Sequence, residues 1–497
     1  MHEELNTEAK KKFEEIDLFF HPKSIALFGA GKISPLTVSN IILSNMLAEG
    51  YTGSIYLVDI KPQQDIIKGL KVYSSISKVP DQIDLGLVIV PAAVVPSVIE
   101  ECIDANLKGI IIITAGFNES KLYDEVGVQI QQKIDKIVKK SDLRIVGPNC
   151  NGVYSQDCSL NATLGPRIIL PPGNFSLVTR GGTAGIILSV AAAKQNLGIN
   201  KYIGIGDESD LKLQDFLKYY ENDQSTKIMG AYSEGIKNPR SFHETLKVIK
   251  KPLVIFKSGE TKSGAQAAIS HVGAIAGQFT SKIAEGFFHQ LRVVKANSVE
   301  ELIDFVNALS IAPLPKGKRL AIWTPGGSMG VIMTDNLEKE GLIIPSLTQN
   351  QLEMLNKILK VKYWSHNNPV DVTDSYNPQA MDKAAEILLE GENFNGLIVL
   401  FGFGVMEQAD YMDLSFSNEN KEIFQVFMQQ QAKRFGRLIK KYQKPIFILA
   451  DEQGLAAKIF QKEGIIVLPN FTRIARTFRL LHQQYLYSSS LKELDLK

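Results

Sequence analysis

Short apolar runs rich in β-branched residues alternate along the chain with longer stretches whose apolar residues recur at helical spacing. In the first third of the chain the apolar runs lie at 24–28, 54–58, 85–90, 109–113 and 144–146. Runs without polar interruption are typical of parallel strands buried on both faces, and helices between them supply the crossovers. The pattern therefore predicts a doubly wound α/β fold built from successive βαβ units.

The same alternation continues through the rest of the chain in two further sets. The second set predicts strands at 175–178, 202–205, 228–231 and 253–256, and the third at 320–323, 397–401, 445–449 and 465–467. Turn-forming residues at 171–173 and 313–317 separate the sets, and 497 residues give room for about three domains. We predict three tandem α/β domains at 1–145, 146–305 and 306–497, with a helix and a loose tail after Leu480.

Charge and composition argue against several classes of function. The chain has 55 basic and 53 acidic residues, so its net charge of +2 favours neither nucleic acid nor a membrane surface as partner. No apolar run reaches the roughly 20 residues that span a bilayer, and the N-terminal residues lack the apolar core of a secretory signal. The three cysteines show neither metal-binding nor disulfide spacing. We expect a cytoplasmic protein with no metal site of its own.

Small and turn-forming residues follow four of the strands predicted in the first domain. They are Gly29, Ala30 and Gly31, then Asp59, then Val90 and Pro91, and finally Thr114, Ala115 and Gly116. Ligands of doubly wound sheets bind at the carboxyl ends of the strands, where glycines and helix N-termini let backbone amides approach phosphate. The third glycine of a dinucleotide loop is missing, whereas Asp59 stands where NAD enzymes hold the ribose. From these residues alone, both NAD and CoA remain open.

A second candidate site is centred on His271. Small residues flank this histidine on both sides, and no neighbouring His or Cys gives it metal-ligand spacing. Another strand-to-helix turn can cradle an anion; its residues are Thr179, Arg180, Gly181, Gly182 and Thr183. Glu234 follows a further strand, and a carboxylate that accepts a hydrogen bond from one imidazole nitrogen leaves the other free to attack phosphorus.

These segments together resemble the α-subunit of the ADP-forming acetyl-CoA synthetases and, more distantly, that of succinyl-CoA synthetase. The resemblance covers nearly the whole chain, and the order of its motifs makes it specific. The motifs are His21-Pro22-Lys23-Ser24, Thr114-Ala115-Gly116-Phe117, Gly147-Pro148-Asn149-Cys150-Asn151-Gly152, Tyr232-Ser233-Glu234-Gly235, Lys257-Ser258-Gly259, the segment from Ser270 to Gly277, and Asn368-Pro369-Val370-Asp371.

The resemblance implies a Rossmann-like CoA-binding domain followed by two flavodoxin-like succinyl-CoA-ligase domains. It implies that His271 is phosphorylated, that Glu234 orients it, and that the turn at 179–183 holds the phosphoryl group. The sequence departs from the family at Gly181, where the usual residue is serine. We expect Thr183 to compensate for the missing serine hydroxyl group, because the succinyl-CoA synthetases have a threonine at that point.

The reaction implied is carboxylic acid plus CoA plus ATP giving acyl-CoA plus ADP plus phosphate. The sequence contains no Walker loop and no segment resembling an ATP-grasp domain. We therefore expect a hetero-oligomer in which an ATP-grasp β subunit provides most of the binding site for ATP/ADP and Mg²⁺. The expected substrate is a small carboxylic acid. The alternatives are a CoA-binding regulatory protein, an acyl or carbamoyl transferase on the same scaffold, and an NAD-linked oxidoreductase.

Overall fold

The computed structural model describes residues 2–31, 34, 36–122, 125–272, 281–359, 363–373, 377–400, 402 and 418–495. The chain forms two compact units, residues 1–193 with 198–299 and residues 194–197 with 300–497. Among the described residues, two β-sheets belong to the first unit and one to the second. None of the helices in these ranges is long and apolar enough to cross a membrane.

The first sheet has the strand order β3-β4-β2-β1-β5-β6-β7, and its strands are parallel except that β3 runs antiparallel to β4. Its strands are β1 Ser24–Phe28, β2 Ser54–Val58, β3 Ile66–Ile67, β4 Leu70–Tyr73, β5 Leu85–Val88, β6 Gly109–Ile112 and β7 Arg144–Val146. The helices of this region are α1 His2–Phe20, α2 Val38–Glu49, α3 Val95–Asp104 and α4 Glu125–Val138, with a 3-10 turn at Asn118–Leu122.

Successive residues of β1 enter two different hydrophobic cores. Ile25 and Leu27 pack into the core that also contains α1, whereas Ala26 and Phe28 pack into the core on the opposite face. Side chains of a strand alternate between faces, so an uninterrupted apolar run fits a sheet covered on both sides. The prediction of a doubly wound sheet is therefore confirmed.

The second sheet has the order β14-β13-β12-β10-β11-β8-β9. Its strands are β8 Gly152–Ser155, β9 Leu160–Thr163, β10 Phe175–Thr179, β11 Ile199–Gly204, β12 Ile228–Ser233, β13 Leu253–Lys257 and β14 Val294–Ala296. The helices are α5 Gly182–Lys194, α6 Leu213–Asn222, α7 Pro239–Val248, α8 Lys262–Val272 and α9 Ser281–Gln290. The parallel part, β11-β10-β12-β13-β14, has the flavodoxin order, and the β8–β9 hairpin extends it by antiparallel pairing with β11.

The third sheet has the order β16-β15-β17-β18-β19, which is again the flavodoxin order. Its strands are β15 Leu320–Thr324, β16 Val370–Asp371, β17 Gly396–Val399, β18 Ile446–Leu449 and β19 Ile466–Leu468. The helices of this unit are α10 Val299–Ile311, α11 Gly327–Lys339, α12 Gln349–Ile358, α13 Pro378–Glu390, α14 Asn418–Tyr442, α15 Leu455–Phe460 and α16 Phe471–Asp495. The helix expected after Leu480 is thus the second half of α16.

The structure adds strands that the apolar pattern does not predict, namely β3, β4, β8, β9, β14 and β16. These strands are two to four residues long and several carry polar side chains, as in the Leu160–Thr163 strand. Each of these strands lies at a sheet edge or next to one, where less apolar surface is needed than at the centre, so such strands lack a continuous apolar run. The domain boundaries predicted at 145 and 305 stay predictions.

Lys201 in β11 is a fully buried cation within the second sheet. Its Nζ lies 2.7 Å from Asp157 Oδ2 and 3.0 Å from Asp223 Oδ2, and it donates a hydrogen bond to Ser225 Oγ at 2.7 Å. Asp157 Oδ2 also lies 3.1 Å from Nε2 of His21, a few residues before β1. The network therefore joins the second sheet to the beginning of the first.

We predict that Lys201→Met lowers the free energy of unfolding by about 3 kcal/mol, because the buried Asp223 carboxylate loses its cation. Urea unfolding at neutral pH measures the change. Lys218→Met, at an exposed position of α6, is the matched control and should leave the free energy within about 0.5 kcal/mol of the parent. Equal stability of both variants would contradict a structural role for the buried network.

Candidate active site

The carboxyl ends of β2, β1, β5 and β6 lie side by side, and the residues predicted to bind the cofactor follow these strands. Gly29 has φ +86°, and a Cβ there would lie 2.5 Å from the carbonyl oxygen of Ile89. Only glycine fits such a left-handed and crowded position without strain. Ala30 is buried below this turn, whereas Pro91, Ala115 and Gly116 are exposed along the edge.

Asp59 holds the first loop in place through both oxygens of its carboxylate. Oδ2 accepts a hydrogen bond from the Gly31 amide at 2.8 Å, and Oδ1 accepts one from the Lys61 amide at 2.9 Å. On the neighbouring strands, Thr114 Oγ1 donates to the carbonyl oxygen of Val90 at 2.7 Å. Asp59 is therefore a structural anchor of this loop.

Residues 147–152 fasten the carboxyl edge of the first sheet to that of the second. On one side, the Asn149 amide donates to the Thr114 carbonyl oxygen at 2.9 Å, and Cys150 Sγ donates to that of Ile112 at 3.2 Å. On the other side, the Asp207 amide donates to the Pro148 carbonyl oxygen at 2.9 Å. We call residues 147–152 the linking segment. Its hydrogen bonds keep the loops of the two sheets facing one another.

Gly206 allows the close approach between the linking segment and the second sheet. Its φ is +55°, and a Cβ at this position would lie 2.1 Å from the carbonyl oxygen of Pro148. Any larger residue would push the backbone of the linking segment away from the turn after β11. The position of Asp207 relative to the first sheet therefore depends on this glycine.

The turn between β10 and α5 contains the five residues predicted to hold a phosphoryl group. Thr179 is fully buried, and its hydroxyl lies 3.1 Å from the hydroxyl of Tyr202. Arg180 is 5% exposed; its Nη1 donates to the Gly235 carbonyl oxygen at 3.3 Å, and its Nε lies 3.5 Å from Glu208 Oε2. Thr179 thus supports the base of the turn, which continues through Gly181, Gly182 and Thr183 into the first turn of α5.

Glu234 lies beside this turn. Its Oε1 accepts a hydrogen bond from the Tyr232 hydroxyl at 3.1 Å, and that hydroxyl is also 2.8 Å from Ser258 Oγ. Burial raises the pKa of Tyr232 to about 12, so this phenol stays protonated and able to donate. A Cβ added to Gly181 would come within 3.3 Å of Glu234 Oε1. Glycine at position 181 therefore leaves space directly next to the carboxylate.

A cleft of about 910 Å³ brings the two predicted sites together. Ala115 from the edge of the first sheet lines it, and so does Glu234. Arg180, Gly181, Gly182 and Thr183 of the phosphate turn also belong to its wall, whereas Thr179 does not. Of the nine residues predicted to bind the cofactor, Ala115 is the one that lines this cleft, and it lies near the phosphate turn because the linking segment joins the two sheets.

Two carboxyl groups that sequence reasoning does not select, Glu119 and Asp207, also line the cleft. Glu119 accepts hydrogen bonds from the amides of Gly116 at 2.5 Å and Phe117 at 3.0 Å. Asp207 is 8% exposed; burial, and after it the neighbouring Glu119 carboxylate, raise its pKa to about 7. Below about pH 7 the Asp207 carboxyl group is therefore protonated and carries no charge beside Glu119.

His271 belongs to the last turn of α8, and its side chain lies outside the described residues, as does the segment 273–280. One turn earlier, Ala268 is buried, and a Cβ on Gly259 would lie 3.4 Å both from Ala268 Cβ and from the Glu234 carbonyl oxygen. The helix also contacts the 3-10 turn that carries Glu119. The backbone of α8 therefore runs beside both Glu234 and the edge of the first sheet.

Comparison with known proteins agrees with this arrangement. Residues 23–156 match the model of a CoA binding domain, and residues 172–309 match that of a succinyl-CoA ligase like flavodoxin domain. The α subunit of an ADP-forming acetate–CoA ligase of Pyrococcus furiosus is 34% identical over 78% of this chain and 82% of its own length. The chain belongs to the ADP-forming acetate–CoA ligase family.

Other members of the family show how far the similarity extends. An ADP-forming acetate–CoA ligase of Archaeoglobus fulgidus is 30% identical over 93% of this chain and 65% of its own length. A dinucleotide-forming acetyl-coenzyme A synthetase 1 of Candidatus Korarchaeum cryptofilum, solved with phosphate and ADP, superposes with a TM-score of 0.80 at 27% identity. That superposition covers 96% of this chain and 98% of the other.

Membership of this family confirms the resemblance inferred from the motifs and the prediction of an acid–thiol ligase with a CoA-binding domain. It favours the ligase over a purely regulatory CoA-binding protein or a transferase on the same scaffold. The roles of individual site residues stay predictions.

The raised pKa of Asp207 predicts that Asp207→Asn stabilises the protein in a pH-dependent manner. The aspartate proton contributes stability that is complete below an ordinary aspartate pKa of 3.8 and is lost as the pH rises through about 7. At pH 8 the folded parent must bury an ionised carboxylate, which asparagine avoids. We expect the variant to gain about 2 to 4 kcal/mol in free energy of unfolding at pH 8, and less than half of that at pH 5.

Urea unfolding at the two pH values measures this difference, with Asp142→Asn as a control at an exposed position. The control should show no pH-dependent gain. A loss of stability in Asp207→Asn at pH 8 would mean that the ionised carboxylate is well solvated or well paired in the folded protein.

Proposed function

We propose that this chain is the CoA-binding and phosphoryl-carrying subunit of an acyl-CoA synthetase, which acts through a phosphohistidine at His271. The reaction is carboxylic acid plus CoA plus ATP giving acyl-CoA plus ADP plus phosphate. The observation that carries the proposal is the single cleft lined by Ala115 of the CoA edge, by the turn from Arg180 to Thr183, and by Glu234. Family membership supports the overall reaction.

Each part of the cleft has a role in this scheme. The imidazole of His271 attacks the terminal phosphorus of ATP, and ADP leaves. An oxygen of the substrate carboxylate then attacks the same phosphorus and gives an acyl phosphate, after which the CoA thiol displaces phosphate. The amides and the dipole of α5, which begins at Gly182, favour the phosphoryl charge at each stage. Glu234 orients the imidazole by accepting its second N–H.

ATP and Mg²⁺ are assigned mainly to a partner. Within the described parts of the chain, no group of three His, Cys, Asp or Glu side chains is placed to hold a metal ion. The Pyrococcus furiosus relative is named as an α subunit, and the Archaeoglobus fulgidus relative extends well beyond the region shared with this chain. We therefore propose a hetero-oligomer with an ATP-grasp β subunit, located in the cytoplasm where ATP and CoA are available.

The substrate is proposed to be a small carboxylic acid. Relatives of this chain are named for acetate. The cleft beside Gly181 lacks the side chain that the usual serine would supply, which leaves additional space next to Glu234. A panel of short aliphatic, hydroxy and aryl acids, assayed for CoA-dependent release of ADP, identifies the preferred acid.

We predict that His271→Ala abolishes labelling of this chain when the complex with its β subunit is incubated with [γ-³²P]ATP. The parent should carry an acid-labile, base-stable phosphate, because phosphohistidine has these stabilities and phosphoserine does not. His243→Ala, at a partly exposed histidine of α7, is the matched control and should label normally. Persistence of the label in His271→Ala would place the phosphoryl group on another residue.

We predict that Glu234→Gln slows phosphorylation of the chain by about 100-fold, because the amide does not stabilise the charge of an imidazole that attacks phosphorus. Rapid-quench measurement of the labelled chain gives the rate. Glu244→Gln changes an exposed glutamate of α7 in the same way and should leave the rate unaltered. An unchanged rate in Glu234→Gln would remove this carboxylate from the mechanism.

A further inference from the structure

Two residues that line the cleft carry buried polar atoms without a hydrogen-bond partner among the described residues. Asn151 is 3% exposed and its Nδ2 donates to the Tyr202 hydroxyl, but its Oδ1 has no hydrogen-bond partner among the described residues. Oδ2 of Asp207 likewise has no hydrogen-bond partner among the described residues. Buried polar atoms without protein partners are uncommon in native proteins, and they can accept a hydrogen bond from a bound group. Both residues line the cleft between the CoA edge and the phosphate turn.

The Glu119–Asp207 pair is built from both sheets. Glu119 is fixed within the CoA edge by the amides of Gly116 and Phe117. Asp207 follows β11, and its own amide is held by the linking segment at Pro148. One carboxyl group is therefore positioned by the CoA edge and the other by the sheet that carries the phosphate turn.

The charges around Asp207 come from three elements. Burial is the largest cause of the raised pKa and Glu119 of the 3-10 turn adds to it, whereas Lys237 after β12 and Arg180 after β10 lower the pKa. Lys237 also donates a hydrogen bond to the backbone oxygen of Asp207. The outcome, about 7, is the value at which a carboxylate is a useful base near neutral pH.

The last chemical step needs such a base. The thiolate is the nucleophilic form of a thiol, and an ordinary thiol with a pKa of about 8.5 is mostly protonated at neutral pH. A carboxylate with an ordinary pKa is too weak a base to take that proton efficiently. A carboxyl pair at the boundary between CoA and phosphoryl sites has both the position and the basicity.

We propose that Asp207, positioned beside Glu119, is the general base that accepts the proton of the CoA thiol as sulfur attacks the acyl phosphate. The C–S bond forms, the bond between the acyl carbon and the phosphate oxygen breaks, and phosphate leaves with that electron pair. The thiol proton passes to the Asp207 carboxylate and from there to solvent. This inference rests on the proposed function and adds a catalytic residue to it.

The test separates formation of the acyl phosphate from the attack of the CoA thiol on it. The α–β complex is given ATP and the preferred acid of the panel without CoA, and hydroxylamine traps the acyl phosphate as a hydroxamate. In a second assay CoA is added and acyl-CoA formation is followed between about pH 5.5 and 8.5, a range centred on the raised pKa. Asp207→Asn and Glu119→Gln are compared with the parent and with the exposed control Asp142→Asn.

We expect Asp207→Asn to form the hydroxamate at the parent rate but to make acyl-CoA at least tenfold more slowly at pH 7.5, within the range for loss of a general base. The parent rate should fall below about pH 7, and this acidic limb should vanish in Asp207→Asn. Glu119→Gln should move the limb to lower pH, because the like charge that raises the pKa is gone.

Each other outcome is decisive. Parent-like acyl-CoA formation and an unchanged pH profile in Asp207→Asn would overturn the inference while leaving the proposed function intact. Loss of hydroxamate formation in Asp207→Asn would also overturn it, because the residue would then act before the thiol step. A parent complex that forms neither hydroxamate nor acyl-CoA with any acid would contradict the proposed function, and the inference would fall with it.

Discussion

The hydrogen bonds of the linking segment, residues 147–152, hold the carboxyl edges of two separate sheets against each other, and the candidate active site depends on them. The segment reaches the first sheet through Asn149 and Cys150 and the second through Pro148. Gly206 permits the close approach that the last of these contacts requires. A sheet edge can bind one anionic ligand through loops and helix N-termini. Two edges fixed face to face can bring a CoA thiol to a phosphorylated group.

Several buried groups at the cleft and next to it are unfavourable for stability. Arg180 and Glu208 are buried with imperfect pairing, and Asp207 is buried beside another carboxyl group. Such arrangements lower stability unless a ligand completes them, and strongly shifted pKa values concentrate at functional sites for this reason. The buried network around Lys201 is different, because both neighbouring carboxylates and a hydroxyl satisfy the cation. The contrast separates a structural network from a chemical one within the same unit.

Much of the fold can be predicted from the sequence because the central strands are buried on both faces and therefore appear as unbroken apolar runs. Short edge strands such as β9 cannot be predicted in this way, since one face or one edge of each is free to be polar. The two loops of the site are predicted by the rule that ligands bind at strand carboxyl ends. Glu119 and Asp207 are not, because their proximity arises from the linking segment and from Gly206, which no local pattern reveals. The resemblance to the ligase family is likewise carried by the order of motifs along the whole chain rather than by any one loop.

The most direct test of this account is a crystal structure of the full chain with CoA and inorganic phosphate. The account predicts that phosphate binds at the amides of Gly182 and Thr183 and that the pantetheine arm passes Ala115, so that its sulfur enters the same cleft. A phosphate ion bound away from the start of α5, or a CoA thiol directed out of the cleft, would contradict the claim that the two sheet edges form one reaction site.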